Sequence, residues 1–135
     1  GAVNHRSGLH DMVLIKENHV RAAGGVTAAL EAALPRAREA GIPVEVEVRA
    51  LDELEAALAA SPDRILLDNM EVSDLREAVR RASAAGGDRP VLEASGGVTL
   101  DTVRDVAGTG VDLVSVGALT HSAPALDVSM LVEEA

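Results

Sequence analysis

The stretch Ile42–Asn69 reads IPVEVEVRALDELEAALAASPDRILLDN. Its first part, Val44–Val48, alternates apolar and acidic residues, the period of a strand. Leu51, Leu54 and Leu58 follow at helical spacing, and Ile65–Leu67 is a second short apolar run closed by Asp68. A strand, a helix and a strand in so few residues make a βα unit, in which the crossover lets the two strands lie parallel.

The same rhythm extends outward from this unit. Short apolar runs at Met12–Ile15, Val91–Leu92 and Leu113–Val116 read as further strands, and successive strand starts lie 21 to 32 residues apart. Between them, Leu30, Ala33, Leu34 and Ala37 predict one helix, Leu75, Ala78, Val79 and Ala82 another, and Leu100, Val103 and Ala107 a third. Ser73 is the expected N-cap of the helix around Leu75. Thr99 is the expected cap of the last helix, with Gly108 and Gly110 ending it. Pro35 falls inside the first pattern, so that helix is expected to kink or split there. The fold class is therefore α/β: about five parallel strands alternating with helices, as in part of a TIM-like barrel. No Gly-x-Gly-x-x-Gly follows a strand, which weakens the dinucleotide-binding alternative.

Composition bounds the function. The chain has 135 residues, 47% apolar, with no Phe, Tyr, Trp or Cys. A core of Ala, Val, Leu, Ile and three Met buries little area per residue, so marginal stability is expected of the chain alone. Without cysteine there is no disulfide framework and no thiolate metal site, which fits a reducing, cytoplasmic setting. No apolar run is long enough to span a bilayer, so no membrane partner is expected. The net charge of −10 argues against nucleic acid. Residues 1–21 nevertheless carry a net +1 and three of the four His, while the rest carries −11. The local field, not the total, governs an anionic ligand. The chain opens on Gly1, as expected of a piece of a longer protein.

Chemistry concentrates where the strands end. Lys16, Glu47, Asp68 and Glu93 each close an apolar run, and Gly117 closes the last. The C-terminal face of a βα barrel carries the active site. Glu45 and Glu47 share one face of their strand; inside a barrel they need Lys, Arg, a metal or a hydroxyl-rich ligand, whereas on a solvated face they are ordinary. Ser95-Gly96-Gly97 and Val116-Gly117-Ala118-Leu119-Thr120 are loops suited to phosphate, although Gly-Gly pairs also mark simple turns. His5, His10 and His19 match no helical pair of metal ligands, so zinc is not expected of them. His5 beside Arg6 reads better as an anion clamp. His121 fits either a buried hydrogen-bonding role or a loop.

The stretches Asn4-His5-Arg6, Leu14-Ile15-Lys16-Glu17-Asn18-His19, Val44–Val48, Leu66-Leu67-Asp68-Asn69-Met70, Glu93-Ala94-Ser95-Gly96-Gly97 and Val116–Ser122 together resemble the C-terminal half of quinolinate phosphoribosyltransferases. One position departs from the family pattern, Glu17 standing where the family has Asp. The resemblance implies that residues 1–135 are the C-terminal half of a barrel domain, with the N-terminal domain and early barrel strands absent. It implies a cytoplasmic, dimeric or higher homo-oligomeric enzyme that uses Mg²⁺. Such an enzyme makes nicotinate mononucleotide, carbon dioxide and pyrophosphate from quinolinate and phosphoribosyl pyrophosphate, in NAD biosynthesis. By the same resemblance, His5, Arg6 and Lys16 bind anionic substrate, and Glu47 and Asp68 hold the ribose hydroxyls directly or through magnesium. Ser95, Gly96, Gly97, Val116 and Gly117 would cradle the ribose phosphate, with Glu93 and His121 nearby. Lys16, Glu47 and Asp68 are the expected catalytic set. The isolated chain is expected to be inactive and to expose open sheet edges. Two alternatives remain: a paralogous barrel acting on another phosphorylated ligand, and a non-catalytic phosphate-binding half barrel.

Overall fold

The computed structural model describes residues 2–133. Five strands form one sheet: β1 (Val13–Ile15), β2 (Val44–Val48), β3 (Arg64–Asp68), β4 (Val91–Ser95) and β5 (Leu113–Val114). All neighbours pair in parallel, and the order across the sheet is the order in the chain. The crossovers contain α1 (Glu17–Ala23), α2 (Val26–Ala40), α3 (Leu51–Ala60), α4 (Val72–Ala84) and α5 (Val103–Ala107), and α6 (Ala118–His121) follows β5. Helix α2 packs on α3, α3 on α4 and α4 on α5, in a single layer. A doubly wound sheet would reverse its strand order and carry helices on both faces. The described residues instead form an arc of a βα barrel.

Alternation along the strands sorts the two faces. Ile15, Val44, Val46, Val48, Ile65, Leu67, Leu92 and Ala94 join Leu30, Leu34, Leu54, Ala57, Leu75, Ala78 and Ala82 in the core between sheet and helices. The side chains of opposite parity face the concave side, which bears no helix. Register sets them in rows: Leu14, Glu45, Arg64 and Val91 in one, Glu47, Leu66, Glu93 and Leu113 in the next, then Asp68 beside Ser95. The segment before β1 folds back across this face, because His5 reaches both Glu45 and Glu93.

Several local expectations change. Helix α2 is unbroken at Pro35, whose ring costs it only the bond to the Glu31 carbonyl. The N-cap of α4 is Glu71 rather than Ser73. Thr99 does cap a turn: Thr99 Oγ1 accepts from the Thr102 N–H at 3.3 Å and Thr102 Oγ1 from the Thr99 N–H at 2.9 Å. The regular helix starts only at Val103, and Gly108 is its C-cap. Helix α1 was not foreseen; it has no buried residue, so no apolar stripe announces it. His19 fixes its start, Nδ1 accepting the Lys16 N–H at 2.9 Å.

The two ends of the strands differ in kind. At the N-terminal end, Asp63 Oδ2 accepts the Val44 N–H at 2.8 Å. There too the Arg89 guanidinium meets the Asp112 carboxylate in a two-pronged pair at 2.6 and 2.8 Å, while Asp112 Oδ2 also accepts the Leu92 N–H. These are staples between successive units.

Candidate active site at the C-terminal rim

The opposite rim collects the charged residues. Glu47 leaves β2 on the concave side, Asp68 leaves β3, and Arg49 stands between them. Arg49 Nε donates to Asp68 Oδ2 at 3.1 Å and Nη2 to Glu47 Oε1 at 3.4 Å, while Nη1 lies 2.8 Å from Glu17 Oε2 on α1. Partial burial works against the Arg49 charge, yet Glu17, Asp68 and Glu47 hold its pKa above the ordinary arginine value. A cleft of about 250 Å³ opens here, lined by Glu17, Val20, Arg21, Glu47, Arg49 and Glu53. A second opening beside it is lined by Arg49, Asp68 and Asn69.

The Ser95–Gly97 turn sits against Asp68. Ser95 is paired with Asp68 across the sheet, and the Asn69 N–H donates to the Ser95 carbonyl at 2.8 Å. Asn69 adopts φ 53°, a left-handed conformation that asparagine tolerates, and its Nδ2 donates to Asp68 Oδ1 at 2.8 Å. Gly96 has φ 98°, and a Cβ there would lie 2.3 Å from Asn69 Oδ1. Both the backbone angle and the Asn69 side chain oppose a Cβ at this position. The turn therefore brings bare backbone against the Asp68–Asn69 corner, where an anionic group could approach closely.

Of the residues singled out in the sequence, Glu47, Asp68, Ser95, Gly96 and Gly97 come together. Lys16 follows β1 on the same rim, directly before Glu17, but it is exposed and lines neither cleft. It is the N-cap of the surface helix α1. Arg6 is half-buried in the loop before β1. Asp11 organises that loop, its carboxylate accepting the N–H groups of Ser7 at 2.6 Å and Gly8 at 3.2 Å. Those bonds, Ser7 first, lower the Asp11 pKa against the effect of desolvation. Val116 is half-buried after β5, and Gly117 is exposed. His121 is exposed, folds back towards Gly117 and lies 2.7 Å from Ser122 Oγ.

Sequence reasoning missed Arg49 and Asn69. Both directly follow residues it did single out or place in a strand, so a wider reading of the strand exits would have found them. It also missed a second cluster one layer deeper. Glu45 has no solvent exposure and Glu93 only 1%. His5 Nε2 lies 2.9 Å from Glu45 Oε2 and 3.5 Å from Glu93 Oε1. Ser115 Oγ donates to Glu93, and Arg64 Nη1 approaches its other oxygen at 3.8 Å. The His5–Glu45 approach has ion-pair distance but not hydrogen-bond direction, so both Glu45 oxygens are without a donor. Burial, and then the Glu93 charge, push the Glu45 carboxyl above the usual range, against the pull of His5 and Arg64.

The sequence model of the family described as "Quinolinate phosphoribosyl transferase, C-terminal domain" matches residues 1–131. The chain belongs to this family. Among relatives of this chain, the nicotinate-nucleotide pyrophosphorylase [carboxylating] of Mycobacterium leprae is 48% identical over 130 residues, covering 96% of the chain and 45% of the relative. A rice protein, the chloroplastic nicotinate-nucleotide pyrophosphorylase [carboxylating], is 41% identical, with 98% and 39% covered. The solved nicotinate-nucleotide pyrophosphorylase of Francisella tularensis superposes with a TM-score of 0.79 at 44% identity, covering 89% of this chain and 41% of that one. The chain thus spans less than half the length of the relatives it matches. The resemblance read from the strand-end motifs is borne out, as is the barrel-type fold.

Proposed function

We propose that this chain supplies one wall of the active site of an enzyme that joins quinolinate to the phosphoribosyl group of phosphoribosyl pyrophosphate. The products would be nicotinate mononucleotide, carbon dioxide and pyrophosphate, a step of NAD biosynthesis. The observation that carries the reading is the rim itself: Glu47 and Asp68 gathered by one guanidinium, with the glycine turn at Ser95–Gly97 held against Asp68.

Chemistry assigns the roles. Quinolinate has two carboxylates, and the cationic or proton-donating groups at His5, Arg6 and Lys16 suit them. Departure of pyrophosphate leaves positive charge on the ribose carbon, which the Glu47 and Asp68 carboxylates would stabilise while accepting from ribose hydroxyls. The Ser95–Gly97 turn, with Val116, Gly117 and His121 on the next strand's loop, would receive the ribose phosphate. Loss of carbon dioxide leaves electrons on the pyridine ring, which nearby cations would hold. Magnesium fits Glu47 and Asp68 as hard oxygen donors, only 13% and 16% exposed, with a half-exposed Arg49 able to yield its place. When bound, it would neutralise the pyrophosphate leaving group.

The working protein is proposed to be a homodimer or larger homo-oligomer. Among the described residues no helix is long and apolar enough to cross a membrane. A cytoplasmic location is proposed, while the rice relative is named as chloroplastic.

Calorimetric titration of the chain with quinolinate tests the reading. Saturable binding weakened about tenfold or more by Lys16→Ala, with the thermal melt unchanged, is expected. Binding of inorganic phosphate without quinolinate would overturn it in favour of a phosphate-binding half barrel. The chain alone is expected to make no nicotinate mononucleotide, since it spans less than half of its relatives.

A further inference from the structure

The deeper cluster poses a problem that the rim does not. Around Glu47 and Asp68 the negative charge is answered by Arg49. Among the described residues, the buried carboxylates of Glu45 and Glu93 meet a half-buried imidazole, an arginine 3.8 Å from Glu93, and the Ser115 hydroxyl, which serves Glu93 alone. A fully buried carboxylate with neither oxygen hydrogen-bonded is costly, and it recurs in folded proteins mainly where a cation or a proton answers it.

The geometry suits a cation. One donor atom from each of His5, Glu45 and Glu93 lies within 4.8 Å of the others. The measured separations from His5 Nε2 are 2.9 Å to Glu45 and 3.5 Å to Glu93. Ligand atoms about 2.1 Å from a common ion stand roughly 3 to 4 Å apart, so little rearrangement is needed. The donors come from the loop before β1, from β2 and from β4, so the sheet fixes two of them rigidly. Ser115, just after β5, orients the Glu93 carboxylate by hydrogen bonding, the kind of support that metal-binding carboxylates receive. His5 is about a third exposed, which leaves a way in and an open coordination position.

We propose that His5, Glu45 and Glu93 form a binding site for one divalent transition-metal ion of the zinc class. An imidazole with two carboxylates favours zinc, cobalt or manganese over magnesium, which prefers oxygen ligands and retains its waters. The site is separate from the proposed magnesium position at Glu47 and Asp68, and it shares His5 with the proposed quinolinate-binding set. It also differs from the set set aside in the sequence, since it uses only His5 of the three N-terminal histidines and takes its other ligands from distant strands. Arg64 tempers the charge of Glu93.

The test is a titration of the full chain, stripped with chelator, at pH 7.5 with zinc and with cobalt. Expected are one ion per chain by calorimetry and a visible cobalt absorption band. Glu45→Gln and Glu93→Gln should each weaken binding by about tenfold or more, and His10→Asn should not change it. Proton NMR reads the same site without substitution: zinc should shift the His5 imidazole resonance and leave those of His10, His19 and His121 in place. Absence of saturable binding, unaltered affinity in both Gln variants, or an equal response to magnesium would overturn the proposal.

Discussion

In metal-free solution, Glu45→Gln should make the chain more stable, not less. Glu45 is fully enclosed, neither oxygen receives a hydrogen bond, and Glu93 adds a second buried negative charge. An uncompensated buried polar group costs about 1–3 kcal/mol, more when charged; His5 at 2.9 Å and Arg64 return part of it. A net gain of about 2 kcal/mol at pH 7.5 is expected on removing the charge. With a urea dependence of about 2 kcal/mol per molar, the unfolding midpoint should rise by about 1 M. The sign with pH follows from linkage. The folded pKa of Glu45 lies above its unfolded value, so the folded state holds the extra proton between the two. Stability from this group is greatest below the ordinary carboxylate range and is lost as pH rises through the raised value. The advantage of Glu45→Gln should thus vanish below the ordinary carboxylate range and grow as pH rises through the raised value. Urea unfolding of both proteins, with chelator, at pH 4 and 7.5 decides the matter. Equal stabilities at pH 7.5, or a less stable variant, would refute the reasoning, since Glu45 would then have an effective partner.

Three other outcomes follow from the packing and the turns. Asp112→Ala should cost about 1 kcal/mol at pH 7, because it removes a partly solvated two-pronged pair with Arg89 and the acceptor for the Leu92 N–H. Arg89 holds the Asp112 pKa below its ordinary value, so this stability is present above the ordinary aspartate range and lost as pH falls through the lowered value. Urea melts at pH 7 and pH 3 should show the gap closing, and an unchanged gap would count against the pair. Gly96→Ala should destabilise by roughly 1–3 kcal/mol in a thermal melt, since φ 98° and the Asn69 contact both oppose a methyl group. Adding Asn69→Ala should recover only part of that loss, because the contact is relieved and the backbone angle is not. Leu54→Ala, at a position with no exposure between α3 and the sheet, should cost about 2–5 kcal/mol by equilibrium denaturation.

The fold was largely readable because each strand is a short apolar run or, at Val44–Val48, an apolar–acidic alternation, and each main helix a spaced set of leucines and alanines. Val44–Val48 appears in the structure with the bounds expected of it. The strand at Leu113 is shorter than read, ending at Val114, although the Ser115 N–H still donates to the Ala94 carbonyl at 2.9 Å. Helix α1 escaped notice because it rests on a histidine cap and a glycine stop rather than on burial. At the site, Glu47, Asp68 and the Ser95 turn were legible from their place after strands. The guanidinium of Arg49 among them was not, because nothing in the local pattern says which way it turns on leaving β2. Least legible was the contact of His5 with Glu45 and Glu93. It joins three segments far apart in sequence, and only the lateral order of the strands brings them together.

That lateral order bears on how the chain reaches its native state. Every strand finds its neighbour one crossover away, and each helix from α2 to α5 leans on the one before it. No strand has to wait for a later segment to be inserted between it and its predecessor. Assembly can therefore advance by accretion during synthesis, each unit docking on a surface already in place.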